Sequence, residues 1–582
     1  MSGRFLARLV VPVALGTALL VQALYFQRTT SAVWDEAIYL TAGLDFYHHG
    51  RVERFTNFGI APLPVMLSYL PPALASSSDQ VLPPEFPRAI LLARVTHLVV
   101  VGLPLVLLPY FWMTRRRGLL AGAAVGALLA FSPLVIAFSA IAVTDACFAV
   151  AFLIALAAID AHVRRPGAKS VALVGVAIGV ALAAKYTATL LLPVALAAFI
   201  YVERRQEAGR WTAGWLRAAA RALGQIAAVG LVALLLVWAM HGFAMARVLP
   251  DNWNPPPSLR GPVGAAMAEI SRAIMVPAPV RGIVYQIEHA SGGQQQFLLG
   301  QKSTRGWWYY YPLALLYKST PAELLLAALL PFLLWRTRRD MDATSTLLAL
   351  TAAFVFVSVL PSRLDIGVRY VLVLYPLVAL LAVDRAASMS PRGRWMPAML
   401  GMVVVLQATS AVAAAPRYLS YFNRLFTPEG QAYTRLVDSN LDWGQDLPAL
   451  GAALADRGAD SVVLAYFGVA PPQAYGIRAT PWDTPDEEAL ARPRWIAISA
   501  TMLNGVYLRG DPFREFRRLR PDGRPGDSFF LYDASNADVR QAMTYARSRI
   551  ALQPCRDGAT APKRSDSSYA VVDHWYIRCT GR

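Results

Sequence analysis

Cysteine is scarce in this chain. Three residues in 582 exclude a small domain held together mainly by disulfides. Charge is scarce too: Asp, Glu, Lys and Arg make up 16%, against about a quarter in an ordinary soluble domain. That removes the soluble prior, which would divide this length into about four domains. A polar, low-hydrophobicity composition is also missing, since 56% of residues are hydrophobic, and this excludes a disordered chain. Neither a P-loop nor a G-x-G-x-x-G turn after a strand is present, so no soluble-nucleotide motif marks the chain. Internal repeats and low-complexity tracts are absent. Lysine is reduced to five residues against 50 arginines.

What remains is a chain both oily and basic, with mean hydropathy +0.41 and net charge +18. Long apolar runs account for the first property. A run of about 18 residues or more crosses the roughly 30 Å hydrocarbon core as a helix. Eleven stretches are expected to do so: 9–26, 89–113, 118–137, 142–160, 170–186, 188–202, 222–240, 311–334, 343–360, 370–384 and 395–415. The first exceeds a signal-peptide core and lacks a following A-x-A site, so it is expected to stay as an anchor.

The arginines account for the second property. With the N-terminus inside, the short cytoplasmic stretches carry nineteen Arg and Lys residues, including Arg115, Arg116, Arg117, Arg338, Arg339 and Arg385. The short loops on the other side carry three: Lys185, Arg363 and Arg369. This asymmetry orients a multi-pass protein of the cell's inner (plasma) membrane. It makes the basic runs topology determinants, so no nucleic-acid partner is expected.

Three longer segments then lie outside the cell membrane: 27–88, 241–310 and the tail. The tail has strand-like runs at 461–467, 495–500, 528–532 and 570–577, with helical stretches at 446–457 and 535–549. The expected fold class is therefore mainly α: a polytopic membrane helical bundle over 1–420, followed by an extracytoplasmic α/β domain over 421–582. Cys555 and Cys579 fall where disulfides persist. A bridge between them would close about 25 residues and contribute roughly 3 kcal/mol; the alternative is two unpaired thiols. Cys147 lies within a span and is expected to pack there.

Ionisable groups in or beside spans are costly, which makes each a functional candidate. Seven fall on the outer side: Asp35 and Glu36 after the first span, Asp145 at the head of the fourth, Lys185 after the fifth, His241 after the seventh, Lys318 inside the eighth and Arg369 at the tenth. Such clustering suggests one polar cavity opening outward. Structural readings stand beside this one. Asp145 following Thr144 suits a helix cap, the lysines and Arg369 suit interfacial anchors, and His241 suits packing. Trp307, Trp308, Tyr309, Tyr310 and Tyr311 suit an interfacial belt, with sugar stacking as the alternative. Two of only five lysines nevertheless stand at this face, and a compact ammonium suits a phosphate.

Several short motifs carry a resemblance. Trp34-Asp35-Glu36-Ala37-Ile38-Tyr39 after the first span resembles the Asp-Glu motif that opens the first outer loop of GT-C glycosyltransferases. The similarity is greatest to the branch holding protein O-mannosyltransferases and the lipid A aminoarabinose transferase. Further matches are Thr144-Asp145-Ala146, Ala184-Lys185-Tyr186-Thr187, Tyr310-Tyr311-Pro312, Lys318-Ser319-Thr320-Pro321, Gly367-Val368-Arg369-Tyr370 and Tyr375-Pro376. The run from Asp438 to Leu447 (Asp-Ser-Asn-Leu-Asp-Trp-Gly-Gln-Asp-Leu) is similar to uncharacterised bacterial members. The matches within the membrane part follow the family order over roughly residues 5–420.

The resemblance implies transfer of a hexose or pentose from a polyprenyl-phosphate carrier to a protein, lipid or glycan acceptor at the outer face, with inversion. It makes Asp35 the general base, with Glu36 and Asp145 as further acidic positions. Arg369, Lys318 and Lys185 become the groups that hold the carrier phosphate. Tyr39, Asn57, His241 and Tyr370 are candidate contacts to acceptor or sugar. A divalent metal ion on Asp35, Glu36 and Asp145 could share the task, although no dedicated metal motif is present. The sequence departs from the family at Ile60-Ala61-Pro62-Leu63, where relatives often carry His-Pro-Pro-Leu or Glu-Lys-Pro-Pro-Leu. The rival readings are a transporter or flippase of lipid-linked sugars and a non-catalytic membrane partner. Transporters, however, favour paired repeats with helices broken at the bilayer midplane, and neither is visible.

Overall fold

The computed structural model describes residues 3–78, 81–206, 213–249, 261–389, 395–484 and 486–550. A helix or helix pair covers each of the eleven expected stretches. Among the described residues, seven are long and apolar enough to cross a membrane: Arg8–Thr29, Phe86–Arg117, Thr144–Arg164, Tyr186–Gln206, Gly214–Met240, Val368–Met389 and Pro397–Ala414. The expected span 118–137 is a pair, Leu119–Ala130 and Pro133–Ala140, bent by 69°. Proline at the start of the second piece lacks the N–H that a continuous helix would need there. Ala168–Ala184 and Ala343–Val359 are apolar but shorter.

The expected span 311–334 is likewise divided, into Tyr310–Lys318 and Pro321–Arg336. Thr320 starts the second helix as a capping box: its hydroxyl accepts from Glu323 N–H at 3.1 Å, and Glu323 Oε2 accepts from Thr320 N–H at 2.8 Å. Lys318 is thus the last residue of a short helix, not an interior residue of a span.

The segment between the first two long helices holds Trp34–His49, Glu53–Asn57, Pro62–Ser68 and Leu70–Ala75. Gly50 closes the first of these in the left-handed region, φ 66°, where a residue without Cβ is favoured.

In the tail, four strands form one sheet in the order Ala479–Pro481, Val462–Ala465, Trp495–Ser499, Phe529–Asp533. The first three are parallel and the last is antiparallel to its neighbour. Ala479–Pro481 was not anticipated from the sequence, and the expected strand 570–577 lies outside the described residues, as do Cys555 and Cys579. Strand side chains alternate between faces, and here both faces are buried. Val462, Leu464, Ala497, Phe529 and Leu531 belong to the core continuous with the bundle. Val463, Ala465, Ile496, Ile498, Phe530 and Tyr532 form a second core with Val539, Ala542 and Ala546 of helix Ala537–Ser548. The sheet therefore joins the bundle through one face.

At the other end of the bundle, basic residues close an ion-pair knot. Arg116 and Arg117 Nε reach Asp384 Oδ1 at 2.7 and 2.6 Å, Arg116 also reaches Asp342 at 2.7 Å, and Arg385 donates to Ser345 at 2.6 Å. Some arginines read as orientation signals thus also fasten helix ends.

Candidate active site

Four of the charged residues singled out in the sequence meet at the bundle end that carries the tail sheet. Asp35 sits in the first turn of Trp34–His49, and Asp145 in the first turn of Thr144–Arg164. Lys185 is the extended residue that ends Ala168–Ala184, and Arg369 lies in the short turn Val368–Val371. Arg369 Nη1 donates to Asp35 Oδ2 at 2.8 Å and lies 3.8 Å from Asp145 Oδ2. Lys185 Nζ donates to Asp145 Oδ1 at 2.6 Å. The order Asp35, Arg369, Asp145, Lys185 is a line of alternating charge. Its ends reach solvent, with side chains 21% exposed at Asp35 and 18% at Lys185, while Asp145 in the middle is 1% exposed.

The cap reading of Asp145 is not met: Thr144–Arg164 has no side-chain cap, and the Asp145 carboxylate faces cations instead. Tyr370 lies beneath both cations, with its ring centre 4.6 Å from Lys185 Nζ and 5.4 Å from the Arg369 guanidinium. Tyr39 is buried beside the cluster. Burial first and Asp35 second push its phenol well above the ordinary value, so it remains a neutral hydroxyl.

Glu36 does not stand with Asp35. Next in sequence but turned inward, it is fully buried against Arg94, whose Nε and Nη2 donate to its two oxygens at 2.8 and 2.7 Å. Val33 N–H and Ala142 N–H donate to the same carboxylate at 2.9 Å each. Arg94 also holds the carbonyls of Thr30 and Ser31 at 3.1 and 2.8 Å. Glu36 is thereby a structural counter-ion that fixes the turn preceding Asp35. Arg94 was missed, although a lone arginine within the apolar run 89–113 was a visible signal.

Lys318 is also placed differently from the expectation. It is buried, donating to the carbonyls of Leu419 at 2.8 Å and Asn440 at 2.6 Å, with Phe422 beneath its ammonium at 4.5 Å. These contacts make it a tether for the tail rather than a ligand for a phosphate. His241 is buried between Val237 O, 2.8 Å from Nδ1, and the Phe55 ring, which fits its packing reading. Asn57 ends its helix exposed, and none of the cluster's contacts involves it. Tyr310 and Tyr311 are buried rather than presented at a surface; Tyr311 donates to Leu364 O at 2.7 Å and Tyr310 pairs with Asn440 at 3.0 Å. Cys147 is a free, buried thiol.

Asp35, Glu36 and Asp145, the acidic set that could have held a metal ion, do not converge. Arg94 and two backbone amides use the Glu36 oxygens, and Arg369 stands between Asp35 and Asp145. Among the described residues, no group of three His, Cys, Asp or Glu side chains could hold a metal ion. The residues present do not fit that ion.

The run 438–447 reaches the cluster from the tail. Trp443 is buried with the Arg369 guanidinium 4.2 Å above its ring, and its carbonyl accepts from Trp34 N–H at 3.0 Å. Three carboxyls of the run are buried. Desolvation raises Asp438 to about 6, Asp442 to about 7 and Asp446 to about 6.

No protein-family model and no curated protein sequence matches the chain. Solved structures similar to it include two with bound lipid carriers. One is ArnT from Cupriavidus metallidurans bound to undecaprenyl phosphate, at 17% identity and TM-score 0.44, covering 80% of this chain and 74% of that one. The other is the oligosaccharyltransferase AglB from Archaeoglobus fulgidus with an inhibitory peptide and a dolichol-phosphate, at 12% identity and TM-score 0.45, covering 84% and 70%.

Proposed function

We propose that this protein is a glycosyltransferase that moves a sugar from a polyprenyl-phosphate carrier to a hydroxyl of a protein, lipid or glycan on the outer face of the membrane. The observation that carries the reading is the Asp35–Arg369–Asp145–Lys185 line, where a partly exposed carboxylate and a partly exposed ammonium flank a buried ion pair. Such an arrangement suits a reaction that needs a base at one point and positive charge at another.

A hydroxyl is a weak nucleophile, and a positioned carboxylate that takes its proton contributes typically 10²–10⁴-fold. Asp35 is that base. As the acceptor oxygen bonds to the anomeric carbon, the carbon–oxygen bond to phosphate breaks. The proton passes to Asp35, and the phosphate leaves with the bonding pair. Attack opposite the leaving group inverts the anomeric centre. Lys185 and Arg369 face the departing phosphate, and preplaced cations in a site poor in water stabilise such charge more than they would in solvent. Asp145 holds both cations in place. The outward orientation rests on the distribution of arginines in the short loops.

The test is transfer from a radiolabelled polyprenyl-phosphate sugar by purified protein in liposomes, with Asp35→Asn beside the wild type. Loss of turnover in a variant that folds normally is expected. Undiminished turnover would remove Asp35 as the base. Mass spectrometry of cell-surface proteins and lipids with and without this protein identifies the sugar and acceptor, as a missing hexose or pentose.

A further inference from the structure

We infer that the tail loop 438–447 is a working part of the transferase site, and that Trp443 is the positioning residue that sets the Arg369 guanidinium between Asp35 and the carrier phosphate. The inference rests on the transferase reading and extends it to a segment about 70 residues beyond Arg369 in the chain.

The loop grips both sides of the Asp35–Arg369 pair. On the Asp35 side, Ser31 N–H donates to Gln445 O at 2.8 Å, Ser31 Oγ donates to Gly444 O at 2.7 Å, and Trp34 N–H donates to Trp443 O at 3.0 Å. These bonds end one residue before the base. On the Arg369 side, Asn440 Oδ1 accepts from Val368 N–H at 2.9 Å, and Ser439 Oγ donates to Ile366 O at 2.8 Å. Between them lies Gly367, where a Cβ would stand 2.1 Å from Ser439 Oγ. A side chain here would push the Ser439 hydroxyl off its bond to Ile366 O. Neither grip is a property of the bundle alone.

Trp443 occupies the middle of this clamp. Trp443 is 2% exposed, and its ring centre lies 4.2 Å from the Arg369 guanidinium carbon. The Arg369 guanidinium is only partly satisfied: Nη1 donates to Asp35, while Nε is buried without a hydrogen-bond partner. Asp145 Oδ2, 3.8 Å from the same guanidinium, also lacks a hydrogen bond. A cation seated over a ring and only partly hydrogen-bonded can turn toward a developing phosphate charge without leaving its place. An aliphatic side chain would fill the same space but give no electrostatic support, and a desolvated cation–π contact contributes up to about 2 kcal/mol, or about 30-fold.

The experiment compares Trp443→Leu and Trp443→Phe with the wild type in the liposome transfer assay, with turnover referred to the monodisperse, folded fraction. The expected result is a fall in kcat of about 30-fold for Trp443→Leu, with the KM for the carrier-linked sugar changed less than about threefold. Trp443→Phe, which keeps a ring face, is expected to recover all but a few-fold of that loss. Wild-type turnover in Trp443→Leu, or equal losses in the two variants, would overturn the positioning role and leave the transferase reading intact. Failure of the wild type to transfer sugar from any polyprenyl-phosphate donor would overturn both.

Discussion

Arg369 and Asp35, separated by 334 positions in the chain, are joined by a 2.8 Å hydrogen bond between Nη1 and Oδ2. The pair links the turn after the first long helix to the start of Val368–Met389. The arginine engages one of the two carboxylate oxygens of Asp35, which keeps 21% of its side chain exposed. On the proposed function, an anionic carrier would offer the guanidinium a second partner, which would couple donor binding to the freeing of Asp35.

Lys185 and Lys318 are expected to differ sharply when each is changed to methionine. Lys185 pairs with Asp145 and is partly open to solvent, so its loss should raise the KM for the donor about 10-fold or more, the effect of removing a charged hydrogen bond. Lys318 is buried on two carbonyls, so its loss should lower the unfolding midpoint and free the tail to protease while leaving donor affinity in the folded fraction unchanged. Transfer assays with limited proteolysis separate the two effects. A donor-affinity defect in Lys318→Met would return that lysine to the phosphate site.

Glu36 and Arg94 form a buried pair with every contact directed into the protein. Removing one partner strands a buried charge and typically costs 3–5 kcal/mol. Glu36→Gln and Arg94→Met should each unfold at markedly lower temperature in detergent, whereas Asp35→Asn should unfold close to the wild type. Differential scanning fluorimetry reads this directly. Equal stability of Glu36→Gln and wild type would contradict the assignment of Glu36 as a structural counter-ion.

The sequence carried the helix positions and the charged residues of the cluster, because apolar runs and costly charges are local features. It could not separate Asp35 from Glu36. Adjacent residues in the first turn of a helix point in different directions, and which one faces inward depends on Arg94, 58 positions away from Glu36. Lys318 misled for a related reason: an ammonium at a membrane edge suits a phosphate and a carbonyl alike. Its partners, Leu419 and Asn440, lie 101 and 122 positions further along. The division of 311–334 was legible, since Thr320, Pro321 and Glu323 spell a capping box, but the apolar run concealed it. The tail sheet's short strand Ala479–Pro481 has no alternation of its own and exists through pairing with Val462–Ala465.

The docked loop should make stability depend on pH. Burial raises Asp438, Asp442 and Asp446 above the ordinary carboxyl value of 3.8, to about 6, 7 and 6. In the unfolded chain these groups lose their protons near pH 4, while the folded protein retains them to pH 6–7 and so binds more protons in between. Stability from this source is therefore full below about pH 4 and declines as the pH rises through 6–7, the reverse of salt-bridged carboxylates. Asp442 is the strongest case: Oδ2 accepts from Thr501 N–H at 2.7 Å, while Oδ1 is buried without a hydrogen-bond partner. Replacing it with asparagine keeps an acceptor for Thr501 and removes the charge that must otherwise develop. Asp442→Asn should thus unfold at higher temperature than the wild type at pH 8, with the gap narrowing as the pH falls and closing at about pH 4. A difference of the opposite sign, or one that does not change with pH, would mean that this carboxyl is ionised in the folded loop.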